Sequence, residues 1–430
     1  MNRNDAEKLP ASDPRIDRAW WILLGAGLCI FCGQPAVLLF TFGVFVPEVV
    51  TATGWDPVTI AAAIAPGTIL AALMAPGVGY AADRFGVRRL AMIGGPTWGL
   101  GLILLGLMPQ SAGGFVGYLA LACVLGFAGT PVLYAQLVTG WFSRRRGLAL
   151  SVMFGCSSLG VGSWSPIAAN LMHLGWRNAY AIMGCAAGSI ILLSSILLLR
   201  SAPQALPQPG EVALEGFTLR EAIKTSTFWR IAIVFMLLTG ALGGGSVNLP
   251  VILRQNNLSP ETAASIMGVV GISMFVGMVS VGILLDRWFA PYVTAAFAML
   301  PLAAFTLLLF DHSTPAFFLA AAGIGCGLGS ELNAAAYIVS RAFGVRAFGA
   351  IYGLITLAFG LTTATGPALV GAALAKSANL NLIFGCAVAL LIVAIGILLT
   401  LKPANLPFRP AARLAPLLVS PEQSDVEAHT

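Results

Sequence analysis

Apolar stretches of 20 or more residues alternate with short clusters of Arg, Lys and Asp along the whole chain. Coiled as a helix, such a stretch is long enough to cross a hydrocarbon core of ~30 Å. Only 9% of the 430 residues are charged, against about a quarter in a soluble domain. A large soluble core would need polar helix faces, and few are present. The pattern predicts an all-α membrane protein embedded in a lipid bilayer.

Twelve transmembrane helices are expected, at 19–47, 57–82, 88–108, 113–141, 147–173, 177–199, 227–253, 260–285, 290–310, 314–341, 347–375 and 378–401. An even number puts both termini on one side, and the cytoplasmic bias of Lys and Arg says which. Segments on the side of the termini hold 20 of the 23 basic residues; Arg177, Arg254 and Lys376 lie opposite. Both termini are therefore expected in the cytoplasm of a multi-pass inner (plasma) membrane protein. This topology accounts for the net charge of +6 without a nucleic-acid partner. No cleavable signal is evident, because the first 18 residues are polar and the next apolar segment is too long for a signal core.

The cysteines (Cys29, Cys32, Cys123, Cys156, Cys185, Cys326, Cys386) all fall inside apolar segments. No His or further Cys lies near the Cys29–Cys32 pair in sequence, so they read as small packing residues, with no metal and no cofactor expected.

The longest break, "RSAPQALPQPGEVALEGFTLREAIKTS" at 200–226, divides the spans six and six. The expected organisation is a tail (1–18), a six-helix bundle (19–200), a linker (201–226), a second bundle (227–402) and a tail (403–430). "TLREAIKTSTFW" in the linker reads as an amphipathic helix leading into span 7, and "GALGGGS" (240–246) as a loosened stretch within it.

The two halves repeat. Asp56-Pro57 and Ser259-Pro260 each place an N-cap residue before a proline. Asp83-Arg84 and Asp286-Arg287 close spans 2 and 8. "CVLGFAGTPVLY" (123–134) aligns with "CGLGSELNAAAY" (326–337). All three pairs share an offset of 203 residues, and Pro166 and Pro367 follow at 201. A constant offset predicts two pseudo-symmetric six-helix bundles.

The strongest local motif is "GYAADRFGVRR". Gly79 permits close helix approach, Asp83 and Arg84 end span 2, Gly86 turns the chain, and Arg88 and Arg89 begin span 3. It resembles the loop 2–3 signature of the major facilitator superfamily, G-x-x-x-D-R-x-G-x-R-R, at every fixed position. A weaker copy, "GILLDRWFAPY", keeps Gly282, Asp286 and Arg287. The resemblance extends over essentially the whole chain. It implies two bundles that rock about a central site, with Asp83 meeting the N-terminal end of span 11 near Arg346 and gating the cytoplasmic side. "WFSRRRGLALSVMFG" (141–155), "GWRNAY" (175–180) and "SELNAAAYIVSRAFGVRAFGAIYG" (330–353) resemble bacterial members of the monocarboxylate porter and oxalate/formate antiporter branch. The chain departs from that branch's anion carriers: span 8 has no basic residue, and Lys376 stands only at the outer end of span 11.

Glu331 is the odd residue. It lies ten residues before Arg341, about 15 Å along the helix axis, and so near the bilayer midplane. An acidic side chain there costs roughly 2.5–3.5 kcal/mol. Its repeat counterpart is Ala128, and no Lys, Arg or His lies at similar depth in sequence. Three readings stand: a proton carrier, a structural clasp between helices, and a contact for a cationic substrate. By helix geometry it either borders the cavity or points into a helix–helix contact. Gln34 (before Pro35), Tyr134, Tyr337, Asn333 and Asn248 are further candidates for substrate contact, each equally a hydrogen-bonding link between helices. Trp164 and Tyr352 are candidates for stacking on an aromatic ligand, although an aromatic in a membrane helix more often packs or faces lipid.

These residues, with the resemblance, imply a secondary active transporter. It would move a small organic acid, a monocarboxylate or aromatic acid, with a proton by alternating access, and act as a monomer. The alternatives are a proton-coupled exporter of neutral or cationic drug-like compounds and a transport-inactive receptor. An enzyme would need convergent nucleophile–base or metal-ligand sets, which one isolated carboxylate cannot supply.

Overall fold

A computed structural model describes residues 14–401, apart from 109–110, 143–144, 201–215, 257 and 376–379. Residues 1–13 of the expected N-terminal tail, the C-terminal tail, most of the linker, Arg144 and Lys376 therefore lie outside the described residues, while 14–18 already belong to the first helix, Pro14–Phe31. Among those described, twelve helices are long and apolar enough to cross a membrane. Spans 1–6 are Arg18–Leu39, Ile64–Phe85, Val87–Leu107, Gly113–Trp141, Arg146–Leu174 and Trp176–Leu197. Spans 7–12 are Ser226–Pro250, Glu261–Leu285, Ala290–Phe310, Thr314–Phe343, Phe348–Gly366 and Leu380–Thr400. The first and last described residues fall on one face, called here the terminal face; the opposite side is the far face.

Local chemistry starts many of these helices. Asp56, Ser111, Thr225, Ser259 and Ser313 each accept a backbone N–H with a side-chain oxygen at an N-cap, satisfying one of the donors a helix start leaves free. Gly86, at φ 83°, turns the chain between spans 2 and 3. Arg88 then reaches the last carbonyls of span 6, Ser195 and Ile196, at 3.3 and 3.2 Å.

The buried core runs through both halves as one connected cluster. Its largest fully buried side chains divide evenly between the halves: Trp98, Tyr134, Tyr180, Phe45, Phe115 and Phe154 in the first, and Tyr352, Phe228, Phe235, Phe305, Phe317 and Phe343 in the second. Large apolar side chains such as Leu107, Leu197, Ile272 and Leu319 face outward, as lipid-facing surfaces require. Small residues let helix backbones touch within and between the bundles.

Two expectations about the second half are corrected. The linker helix is one turn only, Leu219–Ala222. Thr218 and Glu221 form a capping box at its start, and Thr225 caps the next helix four residues on, so no longer amphipathic helix forms. Backbone and side-chain hydrogen bonds from Thr218 hold the Glu221 carboxyl below its ordinary range. The stretch 240–246 is not loosened; it is helical within Ser226–Gln255. The linker's end docks on the loop between spans 10 and 11, where Phe217 N–H donates to Phe343 O at 2.8 Å and Gly216 bridges Gly344.

Candidate functional site

The two bundles close on each other at the terminal face through a duplicated contact. Asp83, at the end of span 2, accepts N–H groups of Gly349 (3.0 Å) and Ala350 (2.8 Å) at the start of span 11. Asp286, at the end of span 8, accepts those of Gly147 (2.8 Å) and Leu148 (3.0 Å) at the start of span 5. A helix N-terminus offers free donors and a positive dipole end to each carboxylate. Gln136 Nε2 adds a third bond to Asp83 at 2.7 Å. Glycines bring the backbones this close: a methyl on Gly79 would stand 1.9 Å from Gly349 O, and one on Gly147 2.3 Å from Gly282 O.

Toward the far face, spans 5 and 8 part. A methyl on Gly155 would find its nearest neighbours, in span 8, at 3.9 Å, and one on Gly162 would meet nothing within 4 Å. On the partner helix Gly282 is tight and Gly271 open in the same sense. Between these limits Ser151 donates to Met278 O at 2.7 Å, and Asn333 Nδ2 donates to Ser151 Oγ at 3.0 Å and Met278 O at 3.2 Å. Near the terminal face Arg146 reaches across to Ser340 at 3.0 Å.

Span 1 breaks at mid-depth. Its helix runs to Phe31, a π-turn follows over Pro35–Leu39, and Phe42–Thr53 continues beyond the apolar window. Pro35 has no N–H, so the Phe31 carbonyl loses its helical donor. Trp164 of span 5 supplies one, at 3.1 Å, and Trp98 of span 3 donates to the next carbonyl, Cys32, at 3.0 Å. Span 4 breaks beside it, with a 3-10 turn over Gly126–Gly129.

Glu331 is 4% exposed, and its Oε1 shares a hydrogen bond with Thr239 Oγ1 of span 7. It points into a helix–helix contact inside the second bundle, while Asn333, two residues on, faces the other bundle. Of the two orientations open in sequence, packing selects the one away from the interface.

Residues 28–367 match the family model of the Major Facilitator Superfamily. The chain belongs to the major facilitator superfamily. It is 27% identical to the uncharacterized MFS-type transporter YhjX of Escherichia coli (strain K12), over 65% of this chain and 70% of that one. It is 28% identical to monocarboxylate transporter 13 of Bos taurus over 62% and 61%, and 23% identical to the oxalate:formate antiporter of Oxalobacter formigenes over 49% and 50%. In fold it is similar to the human organic anion transporter MFSD10 (TM-score 0.70, 16% identity, 90% of this chain and all of that one). It is also similar to the E. coli fucose:proton symporter (TM-score 0.66, 13% identity, 88% and 98%). Membership makes the protein a secondary transporter, which takes a small-molecule substrate across a bilayer.

Within this superfamily fold, the sequence-derived substrate candidates do not converge on one pocket. Tyr134 is fully buried inside the first bundle beside the Cys29 thiol. Gln34 is packed against span 4 at Gly126 and Gly129. Tyr337 accepts from Arg341 at 3.2 Å near the terminal face. Tyr352 is buried and stacks on Phe348, with ring centroids 5.3 Å apart. Asn248 donates to Gly244 O at 3.0 Å within its own helix. Trp164, read in sequence as an aromatic platform, is buried with its indole N–H used. Of the basic motif residues besides Arg88, Arg84, Arg89 and Arg287 are exposed, as is Arg346, while Asp83 meets backbone N–H groups.

Sequence reasoning missed Gln136, Ser151, Thr239, Ser340, Gly147 and Gly349. Gly147 and Gly349, 202 residues apart, were detectable as a further repeat pair. The polar four were visible only as hydroxyls or amides in apolar helices.

Proposed function

We propose that this transporter carries a small organic acid together with a proton by alternating access, with Glu331 as the proton carrier. The observation that supports it is one buried carboxyl, at mid-depth in span 10, whose hydrogen-bond partner is a neutral hydroxyl. The names of two relatives, a monocarboxylate transporter and an oxalate:formate antiporter, favour an organic acid. The excess of Lys and Arg on the terminal face supports an inner-membrane orientation with that face cytoplasmic. Asp83 and Asp286 would then be paired latches of the cytoplasmic gate, and the gap between spans 5 and 8 would open to the outside.

A second reading, a structural clasp, is favoured by one fact: Glu331 faces span 7 and not the other bundle. Proteoliposomes holding an internal pH dye separate the two. Wild type and Glu331→Gln are challenged with a panel of small carboxylic and aromatic acids, and protein-free liposomes correct for passive permeation. The proposal expects one acid to acidify the wild-type lumen, and the mutant to lose this while still exchanging labelled acid. Equal acidification by both proteins would leave Glu331 as a clasp.

A further inference from the structure

Thr239 Oγ1 makes two close contacts. One is to Phe235 O, one turn back in its own helix, at 2.7 Å; the other is to Glu331 Oε1 in span 10. A hydroxyl has one hydrogen to donate but can accept as well, and a carbonyl oxygen can only accept. If the hydrogen lies on Phe235 O, the contact with Glu331 is a hydrogen bond only when the acid donates. That requires the neutral carboxyl. If Glu331 is ionised, Thr239 has to turn its hydrogen away from Phe235 O to serve the carboxylate.

The depth of the two residues agrees. Thr239 lies 13 residues into span 7 and Glu331 12 residues from the end of span 10, each close to 20 Å from the terminal face. Their counterparts at the 203-residue offset are Ala36 and Ala128, both fully buried. The first bundle is therefore packed at these positions with no polar group, so the fold does not demand an acid–hydroxyl pair there.

The surroundings offer an ionised Glu331 little else. Among the described residues, Tyr352 of span 11, whose buried hydroxyl has no hydrogen-bond partner, is the titratable side chain within its electrostatic reach. From span 5, Arg146 is spent on Phe142 O and Ser340 near the terminal face, and Arg341 of span 10 itself on Tyr337. A carboxylate sealed between spans 7 and 10 on one hydroxyl would be a buried charge with most of its acceptor sites empty, which is costly.

We infer that Thr239 is the positioning residue for the proton on Glu331: the neutral acid donates to its hydroxyl and clasps span 7 to span 10, and the clasp parts before the carboxylate forms. Proton release is thereby tied to a movement between two helices of the second bundle. This rests on Glu331 being the proton carrier. The proton leaves Glu331 for water admitted as the helices separate, and Thr239 exchanges no net proton.

Infrared difference spectra after a pH jump, on the full protein in lipid, test the assignment. The carbonyl band of protonated Glu331 is identified by its loss in Glu331→Gln. In Thr239→Val, which keeps the shape and removes the hydroxyl, the band moves to higher frequency and the pH profile of coupled transport is displaced. In Thr239→Ser both return toward wild type. A band unmoved by Thr239→Val overturns the inference, as does a Thr239→Ser protein that behaves like Thr239→Val, because the methyl group would then be what matters. The parent reading fails separately: Glu331→Gln would acidify liposomes as wild type does. If Glu331→Gln abolishes coupling but Thr239→Val leaves band and profile unchanged, only the role of Thr239 falls.

Discussion

Trp164 donates its indole N–H to the carbonyl oxygen of Phe31, 3.1 Å away, the carbonyl that Pro35 deprives of its helical partner. A bond between spans 5 and 1 thus replaces one that a proline removed within span 1. Trp164→Phe keeps an aromatic ring but removes the N–H with part of the indole's volume, and the carbonyl left buried and unpaired costs about 1–3 kcal/mol. In a Pro35→Ala background residue 35 can donate again, and the same change then costs less by about that amount. Thermal unfolding of the four proteins of this cycle checks it; an equal cost of Trp164→Phe in both backgrounds would mean that ring packing, and not the bond, is what Trp164 contributes.

The two aspartate contacts are predicted to act as a pair. Removing Asp83 or Asp286 with Ala deletes two charge-assisted bonds to a helix N-terminus, each worth about 1.5–3 kcal/mol. Either variant shifts the population away from the closed terminal face by about two to four decades, and the double variant shifts it further. Spin-label distances between the ends of spans 2 and 11, and of spans 8 and 5, read this directly. A closed distribution unchanged in both single variants would contradict it.

Closure also requires the absence of a side chain at Gly79. A Cβ there would meet Gly349 O at 1.9 Å, a separation no real contact reaches, so Gly79→Ala forces spans 2 and 11 apart. Its initial transport rate should fall about tenfold or more, corresponding to a loss of ~1.4 kcal/mol or more. Gly396→Ala in span 12, where a methyl meets nothing within 4 Å, serves as the control and keeps its rate. Similar rates for the two variants would show that the face does not need this approach.

The gap between spans 5 and 8 predicts where motion is largest. Labels at Gly162 and Gly271, on the open side, should approach when a transported acid is added. Labels near Gly147 and Gly282, on the tight side, should separate at the same time. Both pairs moving together in one direction would rule out rocking about a point between them.

Much of the architecture is legible without coordinates, because it rests on local physics. A helix of 20 apolar residues follows from the bilayer's thickness and from the cost of a bare backbone in lipid. The 203-residue offset and the Asp83 and Asp286 motifs are likewise properties of the chain read in order. What the sequence leaves open is which side chains meet across helices. Glu331 is conspicuous in sequence, but Thr239, 92 residues away, is one hydroxyl among many. Trp164 reads as packing or as a ligand platform until Phe31 is seen against it. In a membrane the hydrophobic effect drives each helix into lipid but does not select its neighbour; that selection comes from the summed fit of small residues and a few hydrogen bonds. The identity and depth of the spans are therefore determined by the sequence alone, while the partners of Glu331, Asn333 and Trp164 are decided only by the packed structure.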